Sequence, residues 1–144
     1  MSTKKLVACL FICLVLLCGC AGYLLYEFSF THGVYEINIT SLCTYNDCVG
    51  NEWHESYTMD GKSIFNGYKV TSPLDRITAK TVNVTITEQD KRSDSSTKDI
   101  TITLKDNESK TSTIYVVENN GRYKDNIAIW EFTVSVKLIK RIRQ

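Results

Sequence analysis

Ile127-Ala-Ile-Trp-Glu-Phe-Thr-Val-Ser-Val-Lys-Leu138 decides the fold class of this chain. Ala128, Trp130, Phe132, Val134, Val136 and Leu138 share one parity and are all apolar. Ile127, Ile129, Glu131, Thr133, Ser135 and Lys137 take the other parity, which turns polar from Glu131 onward. A period of two sends successive side chains to opposite faces of a strand, so one face is buried and the other is wet. A clean division of this kind belongs to antiparallel sheets, because parallel strands are covered on both sides and read as continuous apolar runs. A strand so long and apolar belongs inside a sheet, since an exposed edge of that kind invites aggregation. Trp130 is therefore placed at the centre of the core, facing Val82, Val84, Ile86, Ile100, Ile102 and Leu104.

The same period runs through the rest of the chain from Gly33. Tyr35, Ile37 and Ile39 alternate with polar residues, and so do Trp53, Tyr57 and Met59. Tyr68–Ser72 is a short strand stopped by Pro73, the only proline. Arg76–Thr87 is β-branched, Asp99–Leu104 alternates, and Thr113–Glu118 forms a further strand. Asp60-Gly61, Asn66-Gly67 and Asn119-Asn120-Gly121 are turn sequences, and the polar stretches 88–98 and 106–110 read as loops. The expectation is an all-β antiparallel sandwich or small barrel of seven to eight strands, spanning residues 27–144.

Residues 1–26 are of another kind. Lys4 and Lys5 precede Leu6–Leu25, a run of 20 residues without a charge. A basic start before such a run keeps the N-terminus in the cytoplasm and sends the downstream chain across a bilayer. Within it, Leu17-Cys18-Gly19-Cys20 resembles the lipobox of bacterial lipoproteins, with Cys18 where Ala or Ser is usual. The resemblance covers these four residues and the leader before them. It implies cleavage ahead of Cys20 and a lipid on the Cys20 thiol. The competing reading is an uncleaved anchor over Leu6–Leu25, with Tyr23 and Tyr26 at the interface. Both give a membrane-held protein of the cell envelope with its β-domain outside the cytoplasm.

All 16 acidic residues and 15 of the 17 basic ones lie beyond this run, a net −1 that offers no footprint for nucleic acid. Cys43-Thr-Tyr-Asn-Asp-Cys48 reads as a disulfide across a tight turn in an exported domain. The alternative is a metal site of Cys43, Cys48 and His54 with Asp47 or Glu52, but zinc favours closer cysteine spacing. Trp53-His54-Glu55 divides between two faces of one strand, which leaves His54 exposed. No nucleophile elbow, phosphate loop or His-Glu-x-x-His sequence is present. Asn38-Ile-Thr40, Asn83-Val-Thr85 and Asn107-Glu-Ser109 are read as chance sequons in a chain rich in Asn, Ser and Thr. The basic end, with Lys137, Lys140, Arg141 and Arg143, suits either a soluble strand end or contact with an anionic surface.

These features point to a non-enzymatic envelope protein, without cofactor or metal, that binds a protein or anionic partner through its β-domain. A phage- or plasmid-encoded exclusion factor and an envelope hydrolase are the alternatives.

Overall fold

The structure, a computed structural model, describes residues 3–28, 30–90 and 92–143; the side chains of residues 3–11, 25, 27, 28 and 121 are not described. Lys4, Lys5 and Cys9 are thus placed only as helix backbone.

Leucine-rich and proline-free, the N-terminal run forms one helix, α1 (Thr3–Phe28). Its 26 residues are about 39 Å long at 1.5 Å per residue. Among the described residues, no helix is long and apolar enough to cross a membrane. The stretch of α1 whose side chains are described, residues 12–24 and 26, is shorter than a bilayer core of about 30 Å.

The rest is β-structure: β1 (His32–Asn46), β2 (Trp53–Met59), β3 (Lys62–Ile64), β4 (Tyr68–Pro73), β5 (Ala79–Glu88), β6 (Ser95–Thr103), β7 (Glu108–Val117) and β8 (Ile127–Ile142). They form two antiparallel four-stranded sheets, ordered β4-β1-β8-β7 and β3-β2-β5-β6. Their inner faces share one apolar core, as in a sandwich, and neither sheet closes into a barrel.

The expected face of β8 is the one that is buried. Ala128, Trp130, Phe132, Val134 and Val136 are all in the core with the facing residues of β5 and β6. Trp130 is not its centre, however. Phe132 has no exposed surface, whereas Trp130 keeps 8% and leans on Trp53, the first residue of β2. Strand ends differ most from expectation. β6 begins at Ser95 rather than Asp99, because threonine pairs such as Thr85–Thr97 (2.8 Å) extend its ladder on the wet face. β8 carries on through the basic end to Ile142, paired with His32 of β1.

The sandwich has two distinct ends. Near α1, Thr31 donates its N–H to the Ile142 carbonyl (3.1 Å) and accepts at its own carbonyl from Leu74 N–H (2.9 Å). The β4–β5 crossover and the β6–β7 turn lie at this end. The far end carries the segments 47–52, 88–94 and 118–126.

Candidate functional site

The two outer faces differ in chemistry. On the outer face of the β3-β2-β5-β6 sheet, Thr81 meets Thr101 (3.0 Å), Asn83 donates to Asp99 (2.8 Å), and Thr85 meets Thr97. His54 is exposed on the same face, as alternation requires. Every side chain there is polar along the paired rows of β2 and β5.

The outer face of the other sheet grades along its length. Near α1 it is charged, with Glu36 opposite Lys137. Midway it is a threonine row, where Thr111 and Thr133 hydroxyls lie 2.7 Å apart. Towards the far end it becomes apolar. Tyr45 and Tyr115 flank Ile129 from either side in register, Leu42 lies beside Glu131, and Val117 pairs with Ile127. Leu42 is 62% exposed and Tyr115 56%. A bulge between Cys43 and Tyr45 turns Tyr45 outward to join this row. Clustered exposed apolar side chains with a polar surround mark interaction surfaces, whereas single ones do not. Sequence reasoning missed this aromatic patch. Its signal was there in Ile127 and Ile129, which break the polar parity of β8.

Two carboxylates, those of Glu55 and Glu88, occupy inward positions of the β3-β2-β5-β6 sheet. Glu55 accepts from Ser41 Oγ across the sheets (2.6 Å) and from the Tyr57 hydroxyl. Burial first, then the Glu55 hydrogen bond and charge, push the Tyr57 phenol far above its ordinary pKa. The hydrogen bond from Ser41 links the Glu55 carboxylate to the facing sheet. At the far end Glu88 is 3% exposed and its Oε2 finds no partner among the described residues. Burial foremost, then the charges of Asp90, Glu118, Glu52 and Asp94, raise its pKa. Asp94 in turn accepts from the Asn119 side chain (2.7 Å), and Glu118 from Asn120 N–H (3.1 Å).

The chain matches no family model, no curated protein and no solved structure. Geometry alone therefore bears on the residues singled out in the sequence. Cys20 is exposed in α1. No disulfide joins Cys43 and Cys48 in the structure. Alternation packs Cys43 against the core, where its Sγ donates to the Tyr45 carbonyl (3.3 Å). Cys48 is exposed in the turn at φ 57°. A disulfide needs the two Cβ atoms facing each other at about 3.8 Å. Among the described residues no three His, Cys, Asp or Glu side chains come together to hold a metal. Lys137, Lys140, Arg141 and Arg143 are all exposed, the last three at the end of β8 next to α1. Lys137 lies higher on the sheet, while Arg143 stacks over the rings of Phe30 (5.3 Å) and Tyr26 (5.9 Å) where α1 ends.

Proposed function

We propose that the chain is a membrane-tethered, non-enzymatic binding protein of the cell envelope. Its N-terminal segment, whether lipidated at Cys20 or left as an uncleaved span, holds the sandwich against the bilayer. The aromatic patch at the far end meets a protein partner. The observation that carries this reading is the contrast of the two outer faces. One is polar along the paired rows of β2 and β5, and the other gathers Leu42, Tyr45, Tyr115 and Ile129 at the end away from α1. Tyrosine with aliphatic neighbours is the composition of interface centres, where aromatic residues are enriched and charged ones depleted. The tether is supported by the 20 uncharged residues of Leu6–Leu25, by the two lysines before them, and by the resemblance of residues 17–20 to a lipobox.

Two measurements test it. Mass spectrometry of the membrane-extracted chain reads the state of Cys20 and of the leader together. A chain recovered from the soluble fraction with no lipid and a free leader ends the tether reading. A photo-crosslinking residue at Tyr115 in intact cells should trap a discrete protein partner, and the same residue at Thr85 should not. Equal yields at the two positions end the claim for the patch.

A further inference from the structure

The near end of the sandwich offers a second surface of different chemistry. Only Ser29 and Phe30 separate the last helical residue from Thr31, which is hydrogen-bonded to both Ile142 and Leu74. The three Cα steps from Phe28 to Thr31 span at most about 11 Å, so whatever holds α1 holds this end of the sandwich close to it. The crossover loop borders the same place. Arg76, Asp75 and Pro73 line an open cleft of about 450 Å³ together with Phe30, Thr31 and His32. At the tip of that loop Ile77 is 87% exposed.

Charge is distributed to match. The near-end segments 74–78, 104–107 and 139–143 hold five basic residues, Arg76, Lys105, Lys140, Arg141 and Arg143, against Asp75 and Asp106. Asp60, which adjoins them, is paired with Lys80 at 2.6 Å. The far-end segments 47–52, 88–94 and 118–126 hold seven acids against four bases. The domain is therefore polarised along its long axis, basic next to α1 and acidic away from it.

We infer that the near end is a docking surface for anionic phospholipid headgroups, with Ile77 inserting between them and Arg76, Lys140 and Arg143 meeting their phosphates. The inference rests on the tether reading and adds to it an orientation: the domain stands upright on the membrane. An exposed apolar tip beside Arg76 and Lys105, on an end with a net excess of bases, suits an interface whose outer layer is anionic and whose next layer is apolar. The acidic far end is repelled by the same surface, which prevents the domain from lying flat.

The test uses the full chain carrying Ile77→Trp, reconstituted into vesicles of phosphatidylcholine with or without phosphatidylglycerol, each with a brominated-chain lipid as quencher. Bromine should quench the introduced tryptophan in anionic vesicles and leave Trp53 and Trp130 unaffected. Adding Arg76→Gln, Lys140→Gln and Arg143→Gln should relieve the quenching, shifting the docked-to-free ratio about fivefold per charge removed. Vesicle flotation, read on the same samples, separates the two claims. A chain that floats while the introduced tryptophan stays unquenched, or is quenched equally in neutral vesicles, overturns the anionic docking surface and leaves the tether standing. A chain that does not float overturns both.

Discussion

Glu88 is the residue under most tension. Its carboxylate is almost wholly buried, one oxygen lacks a partner among the described residues, and four other acids lie near. A carboxyl whose pKa is raised by folding binds its proton more tightly folded than unfolded. Its stabilising effect is fully present below the ordinary carboxylate pKa and is lost as pH rises through the raised value. Glu88→Gln keeps the shape and removes the charge. At pH 7 it should stabilise the domain, because it removes a buried charge that four neighbouring carboxylates repel. Denaturation midpoints measured from pH 4 to 8 should show the gap between variant and wild type widening with pH; parallel curves would mean that Glu88 titrates normally. Gly50 is bound to the same spot. It adopts φ 140°, and a Cβ there would fall on the Glu88 side chain. Gly50→Ala should destabilise by about 1–3 kcal/mol through backbone strain and overlap. Glu88→Ala in the same chain should restore part of that loss, and strict additivity of the two changes would refute the contact.

Among the elements, β8 has the most consequence, being central in its sheet and paired with β1 over residues 128–142 and with β7 over residues 127–136. Trp130→Ala opens a cavity beside Trp53 and should cost about 3–5 kcal/mol. Glu131→Ala on the exposed face should change stability by less than about 0.5 kcal/mol. Urea midpoints of the two variants check this, and near-equal values would reverse the face assignment. The faces of β8, β5 and β2 were legible because alternation depends only on local chemistry. Strand order was not, because it is set by pairings between distant residues such as Tyr35 with Leu138. Turn dipeptides show the same limit. Asp60-Gly61, at φ 52° and 73°, closes the β2–β3 hairpin as its sequence says. Asn66-Gly67 has the same turn chemistry but carries the chain from one sheet to the other, with Asn66 Oδ1 accepting from Ile39 N–H (2.8 Å). Cys43 and Cys48 show a related limit of spacing. Their spacing suits a bridge, and the structure places Cys43 against the core and Cys48 at the surface, unjoined. The aromatic patch needed the register, since Tyr45 and Tyr115 lie 70 positions apart and meet only across Ile129.

At the scale of the whole molecule, polarity along the long axis governs what can be reached. With the full chain in anionic vesicles, a protease of broad specificity should cut first within residues 89–94 or 119–126. The loops at 74–78 and 105–107 should resist until detergent is added. Cleavage of both ends at the same rate would mean that the domain has no preferred orientation. The clamp at Thr31 has a mechanical consequence as well. On the proposed tether, a pull between the bilayer and a partner at the far end would enter through α1 and load β1 along its own direction. β1 is flanked by β4 on one side and by β8 on the other. Force in that direction shears the ladders, so that many hydrogen bonds must rupture together instead of peeling apart one by one. Traction on this protein should therefore be withstood far better along the membrane normal than across it.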